Sequence, residues 1–470
     1  MSVFNNILLG ASSQGGVTPV HTINQSIRFN DDDTAHMTRT FGSGNQKVWT
    51  MSFWVKRCNL GTGQKIISRR TGGGSTTATM GFRVTTDQFD FYDPSNGGEL
   101  ITDAVFRDTS AWYNFVINYE ASNVTQSERL RIYVNGTRQT FTSNVAISDS
   151  NGNFNAAVTH AIGKYQYNNS DYLDAYLAEI VWIDGTALDP SSFGETNSSG
   201  IWIPKDVSGL TFGTNGFHIT GATASDLGAD VAGSNNFTTS GLDQYDKVLD
   251  SPTNNFCVMN PNDADGLAAN ELSGGNLQVK NINRIRSTLP FPTSGKWYWE
   301  ICTVSKGGQP NWNYGMVYFK DQAEPLLTNN DFIRLNWYHG SNFSSSSNWT
   351  DGDFWTNSNN PSAGSVYGFA WDAGTRKVYL AKDGTFFGSA DPVNGTGTAW
   401  GSGGTAGVEY GIAMYSTQSM IHTINFGQDD SFNGAKTSGS DGASDSNGNG
   451  KFYETPPTGF LALCTKNLGS

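Results

Sequence analysis

Leu130, Ile132 and Val134 alternate with Arg129, Arg131 and Tyr133, and Asn135-Gly136 follows at once. Successive strand side chains point to opposite faces, and both residues of a tight hairpin turn need positive φ, so this pattern specifies a half-buried strand running into a hairpin. The run VWTMSFWV at 48–55 sets Trp49, Met51, Phe53 and Val55 on one side and Thr50 and Ser52 on the other. Further strands are expected at 82–84, 89–92, 112–119 and 176–183. One helix start stands out, ALDPSSFGE at 187–195, with Asp189 as N-cap, Pro190 in the first helical position and Gly194 as the stop. Many short strands with turns between them and almost no helix describe an all-β chain built as an antiparallel sandwich.

Apolar alternation fades over residues 221–250, which are small and polar, and resumes near 276–279. It strengthens at KWYWEICTV (296–304), 313–319, 366–371 and 377–381, where Asp383-Gly384 opens a second hairpin, and the closing strands are expected at 410–415 and 421–426. The second half therefore repeats the plan of the first. The expected organisation is an attachment segment at 1–20, two antiparallel β-sandwich (jelly-roll) domains in series at 21–220 and 251–470, and an interdomain linker at 221–250. Residues 437–451, TSGSDGASDSNGNGK, read as a surface loop with too little apolar area to order itself.

Composition agrees with sheet. Among 470 residues 55 are Gly and 13% are Phe, Trp or Tyr, while only 15% are charged, against roughly a quarter in ordinary soluble proteins. The net charge of −13, with no long basic run, argues against nucleic acid and against an anionic membrane as partners. No stretch of about 18 apolar residues is present to span a bilayer, and the first residues lack the basic and apolar regions of a secretion signal. Cys58, Cys257, Cys302 and Cys464 lie far apart without a C-x-x-C pair, so isolated buried thiols and synthesis in a reducing cytoplasm are expected.

The order of several motifs gives both halves a likeness. SIRFN (26–30), TMSFWVK (50–56), YVNG (133–136) and the stretch 176–190 continuing to Phe193-Gly194-Glu195 resemble the concanavalin A-like, laminin-G-like lectin domains of phage structural proteins, over about residues 21–220. SGKWYWE (294–300), YGFAWD (367–372), the hairpin 378–384 and NFG (425–427) resemble a SPRY domain. NNILLGA (5–11) and PPTGFLALCTKNL (456–468) look like the ends of phage proteins that pair these domains, notably from marine phages. The resemblance implies a virion component made in the host cytoplasm, a tail-fibre or surface-appendage subunit. Its partners would be other virion proteins, reached through residues 1–20, further copies of itself in a homo-oligomer, and a host-surface glycan or protein.

The residues themselves offer little for catalysis. A retaining glycosidase needs two carboxylates about 5–5.5 Å apart, yet the nearest strand pair, Glu179 and Asp184, is five residues apart and so falls on opposite faces. There is no G-x-S-x-G, H-E-x-x-H or Walker loop, and the six histidines are scattered singly. A non-enzymatic protein is expected, with an architectural decorating protein and a polysaccharide-degrading enzyme as the rivals.

Two site readings remain. Asp445, Asn447 and Asn449 match the D-x-N-x-N-G opening of a calcium loop, but position twelve is Pro456 rather than Glu, and a solvated turn is the preferred reading. Calcium is thus the one cofactor left open, and Asp31-Asp32-Asp33 is likewise read as a turn. In WYHGSNFSSSSNWTDGDFW (337–355), Trp337, Tyr338, Trp349 and Trp355 stand among Ser, Asn and Asp, which suits a sugar whose C–H face stacks while its hydroxyls hydrogen-bond. Against this, Trp337 and Trp355 also fit strands. Trp312 and Tyr314 join the candidate ligand residues because loops at one end of related SPRY domains grip peptides.

Overall fold

The computed structural model describes residues 21–70, 77–144, 146–265, 271–281, 284–305, 311–318, 333–338, 362–397, 399, 409–416, 420–437 and 442–468. The expected attachment segment at 1–20 lies outside them. The described chain divides into two compact units that meet between Thr253 and Asn254, and both are sandwiches of antiparallel sheets with almost no helix.

In the first unit one sheet runs in the order Thr137–Arg138, Leu130–Val134, Tyr113–Glu120, Val48–Arg57, Ala175–Asp184, Ser26–Phe29 and Lys247–Val248, with Phe217–Ile219 also pairing Ala175–Asp184. The other runs Phe141–Asn144, Gly98–Val105, Gln88–Asp93, Ala78–Phe82, Gln64–Arg69, Thr159–Ile162, His36–Thr40 and Thr238–Ser240. Trp49, Met51, Phe53 and Val55 enter the core between the sheets, as their alternation predicts. Trp49 stacks on Tyr119 at 4.8 Å and on Trp182 at 4.6 Å between ring centroids. Asn135 and Gly136 take φ of 48° and 75° and close the expected hairpin.

Thr50 and Ser52, on the other side of Val48–Arg57, are covered by segment 186–212, where the Thr50 hydroxyl donates to the Thr186 carbonyl at 2.9 Å and accepts from Leu188 N–H at 2.8 Å. Pro190–Ser192 does form one helical turn, of 3-10 type, but Asp189 makes no side-chain cap bond.

Residues 221–250 are a further correction. They are not a linker but part of the first unit, and they add a strand to each sheet: Thr238–Ser240 pairs His36–Thr40, and Lys247–Val248 pairs Ser26–Phe29. Polar bonding orders them. Asp230 accepts from the N–H groups of His218, Ala232 and Asn235 at 2.9–3.0 Å, and Asp243 and Asp246 form a reciprocal capping box around Gln244–Asp246. At the far end Asp250 is fully buried against Lys56.

In the second unit one sheet runs Met259–Asp265, Arg284–Ser287, Tyr410–Ser416, Asn311–Tyr318, Ile333–Tyr338, and the other Leu272–Ser273, Gln278–Lys280, Ile421–Asn425, Lys296–Ser305, Val366–Asp372, Lys377–Lys382, Thr385–Phe386. Trp297, Trp299, Phe369, Trp371, Ile412 and Met414 share its core, and Asp383-Gly384 turns the predicted hairpin. All four cysteines are buried, and none is in a disulfide.

Candidate functional site

Four of the aromatic residues singled out in the second unit belong to strands. Trp312 and Tyr314 lie inside Asn311–Tyr318, and Trp337 and Tyr338 inside Ile333–Tyr338, an edge strand among the described residues. Trp312 pairs with Trp337, Tyr338 with Asn311, and Tyr314 with Met414 of the next strand. Trp349 and Trp355 lie outside the described residues.

Asp445, Asn447 and Asn449 are brought together, but turned away from any common cation. Asp445 is buried. Its Oδ1 accepts from the N–H groups of Asn449 (2.7 Å) and Gly450 (3.2 Å), and its Oδ2 from Ala462 N–H (2.9 Å) and the Asn467 amide (2.6 Å). Asn447 and Asn449 both present their amide nitrogens to Asn467 Oδ1, at 3.0 and 2.8 Å. A cation needs oxygens with lone pairs to spare, and here the carboxylate is saturated by donors, so the residues do not fit calcium. The loop orders itself through this hub, and Ala443–Ser444 pairs Lys451–Phe452 beside it, which corrects the expectation of a loop without order for residues 442–451. Asp445→Ala is expected to lower stability by about 3 kcal/mol in denaturant unfolding, because it leaves several buried donors unpaired.

Glu179 and Asp184 also end in separate networks, although not by simple alternation. The strand Ala175–Asp184 is bulged between Ala178 and Val181, and Glu179 has φ of 49°. Its Oε2 meets His218 Nε2 at 2.6 Å on the covered outer face, while Asp184 accepts from Asn45 N–H, Asn215 N–H and the Asn155 amide. The Glu179–His218 contact, 39 positions apart in the chain, had no sequence signal.

A different set of residues forms an open polar and aromatic face, on the outside of the second sheet of the first unit. Tyr92 and Tyr167 are the exposed aromatic side chains among the described residues, 39% and 41% accessible. Tyr92 is placed by Gln88–Asp93, opposite Thr79 and Glu99. Tyr167 is placed by the loop 164–170, which folds over the sheet because Ser68 Oγ donates to the Lys164 carbonyl (2.7 Å) and accepts from Gln166 N–H (2.9 Å), while Tyr165 and Ser170 bridge. Tyr165 lies 5.9 Å from the Tyr167 ring, and the Arg70 guanidinium sits 5.0 Å over that ring, donating to the Tyr167 carbonyl at 2.7 Å. Burial pushes the Tyr165 hydroxyl up, and the neighbouring Asp171, Tyr92 and Tyr167 add to this.

Beside Tyr92 the face is charged. Lys65 meets Asp90 at 3.2 Å, and Arg83 contacts both Asp90 (3.7 Å) and Glu99 (2.9 Å). Burial raises the Asp90 carboxyl, against the pull of Lys65 and Arg83. Arg83 stands between Asp90 and Glu99, so both are engaged by a cation. Flat rings beside hydroxyls, a guanidinium and paired charges can stack a sugar ring and bond its hydroxyls. Sequence reading missed this face because its parts come from 65–70, 83, 90–99 and 164–170, each unremarkable alone.

The sequence profile of the concanavalin A-like lectin/glucanases superfamily matches residues 21–191, the unit that carries this face. No curated protein matches the chain. Among solved structures, a native heptameric SAP-like pentraxin from Limulus polyphemus is 18% identical over 36% of this chain and 79% of that one, with a TM-score of 0.26. The SPRY domain of human HERC1 is 14% identical over 35% of this chain and 96% of that one, at 0.25. Mouse laminin alpha1 domains LG4-5 are 10% identical over 86% of this chain and 90% of that one, at 0.29. At such TM-scores these likenesses carry no argument of their own, and it is the profile match that ties residues 21–191 to a lectin-like fold.

Proposed function

We propose that the chain is a non-catalytic glycan-binding protein that serves as a phage appendage subunit, of tail-fibre or similar type, and that its first unit meets a host-surface saccharide through Tyr92, Tyr165, Tyr167 and Arg70. The observation that carries this reading is the gathering of the two exposed tyrosines and a stacked arginine on one face of a unit with a lectin-like profile. Exposed rings cost free energy in water unless a partner covers them. The phage setting rests on the sequence resemblances above. Weak single contacts would suffice in an appendage, since many linked copies raise avidity by ~10²–10⁴.

Asp90 and Glu99 support binding rather than hydrolysis, because Arg83 and Lys65 hold them as ion pairs. Tyr167→Ala and Tyr92→Ala are each expected to weaken binding to host surface polysaccharide about ten-fold, the loss of one stacking contact of about 1.4 kcal/mol, without lowering Tm. Unchanged binding in both variants would remove the face from the site. Free protein should also compete with phage adsorption, which a purely architectural subunit would not do.

A further inference from the structure

Lys56 lies in the strand Val48–Arg57, opposite Tyr176, with its ammonium 5.8 Å from the Tyr176 ring. Trp54, Trp112, Tyr176 and Val248 form an apolar cluster there. Lys56 Nζ meets Asp250 Oδ2 at 2.7 Å, and both side chains are 0% exposed. The two residues are 194 positions apart, so only folding brings the amine and the carboxyl together.

The carboxyl is held in place from several directions. The Asp250 carbonyl accepts from the Ser26 hydroxyl at 2.6 Å, and the hydroxyls of Ser251 and Thr253 both donate to the Ile23 carbonyl at 2.7 Å. Asp250 Oδ1 accepts from the Trp112 indole N–H at 3.0 Å. One carboxylate oxygen thus touches an amine while the other rests on a fixed donor. Contact at Oδ2 brings Cγ, one bond further on, toward the roughly 3–3.5 Å from which reacting atoms close. An apolar surround penalises both charges, which favours passage of the ammonium proton to Oδ2.

We propose that Lys56 Nζ and Asp250 Cγ condense in the folded chain into an amide that ties Val48–Arg57 to the end of the first unit. The ammonium first gives a proton to Oδ2, leaving an amine and a carboxylic acid. Nζ then attacks Cγ, and the charge that gathers on Oδ1 falls on the Trp112 N–H. The Cγ–Oδ2 bond breaks, and Oδ2 leaves as water with the acid proton and one proton from Nζ. No oxidant or cofactor is consumed. The Cys58 thiol, which feels both Lys56 and Asp250, is pushed well up by burial and stays protonated, so the amine is the nucleophile. Newly folded chain starts from the ion pair, and the bond adds to whatever that contact contributes.

The test follows the intact mass of the full chain. Folded wild type should be lighter by one water, on isolation or after standing, and proteolysis should release a branched peptide joining the segments around Lys56 and Asp250. Chain folded only after synthesis in denaturant should keep its full mass until denaturant is removed. Lys56→Arg keeps the charge without a reactive amine and should stay at full mass. Trp112→Phe keeps a ring but lacks the N–H, and should slow the loss at least about ten-fold. If folded wild type keeps its full mass, the contact is an ion pair only and the proposal fails. It fails equally if the lost water persists in Lys56→Arg or maps to a succinimide at an Asp-Gly pair. An unchanged rate in Trp112→Phe would overturn the part given to the indole.

Discussion

Replacing Lys56 by Met should lower the stability of the first unit by about 3–5 kcal/mol, read as a shift in denaturant midpoint of the full chain's first transition. Lys56 and Asp250 are both 0% exposed, with Nζ 2.7 Å from Oδ2. Asp250 Oδ1 accepts from the Trp112 indole at 3.0 Å, and the Asp250 carbonyl accepts from the Ser26 hydroxyl at 2.6 Å. Removing the ammonium strands a carboxylate in an apolar pocket lined by Trp54, Trp112, Tyr176 and Val248, and that is where the loss arises. The double change Lys56→Met with Asp250→Leu should recover much of it, because two apolar groups leave no unpaired charge. If Lys56→Met is neutral, the buried Asp250 carboxylate does not depend on the Lys56 ammonium.

The second large effect is a pH dependence centred on Glu300. This carboxyl is fully buried and accepts from Glu454 N–H (2.8 Å), Tyr453 N–H (2.9 Å) and the Asn425 amide (3.3 Å), with the Tyr298 hydroxyl at 3.3 Å. Burial outweighs those donors and pushes it up to about 8 from an ordinary 4.5. Between these values the folded state keeps a proton that the unfolded state has released, so stability falls as pH rises through the window. The full contribution is present below about pH 4.5 and gone above about pH 8. The second unit should therefore unfold at lower denaturant at pH 9 than at pH 5, by an amount on the order of a few kcal/mol. Glu300→Gln should flatten the difference, and an equal slope in wild type and variant would show that other groups cause it.

Much of the fold could be read directly. The alternation at Trp49–Val55 and the hairpins at Asn135-Gly136 and Asp383-Gly384 depend on local geometry, and the structure reproduces them. What the sequence hid is what depends on partners far along the chain. The cover over Thr50 comes from Thr186 and Leu188, 136 and 138 positions along the chain. Residues 221–250 look like a linker because apolar periodicity counts only one way of ordering a chain, whereas Asp230, Asp243 and Asp246 order theirs with hydrogen bonds. Rings among small polar residues suit a rim, and the sequence does not show that Trp312 and Trp337 lie opposite one another on neighbouring strands of a sheet. The tyrosine face draws on four separate segments, so no local window contains it.

The pairing of Ser26 with Val248 has a mechanical meaning. These two strands are antiparallel, so the chain enters the first unit and leaves it at the same end, where Ile23 N–H also reaches the Thr253 hydroxyl. Tension carried along the polypeptide would peel the two strands apart one bond at a time, like a zip, instead of shearing all their bonds together. The Lys56–Asp250 contact lies at the first tooth, and the force at which it opens sets how much pull the unit withstands before it unravels.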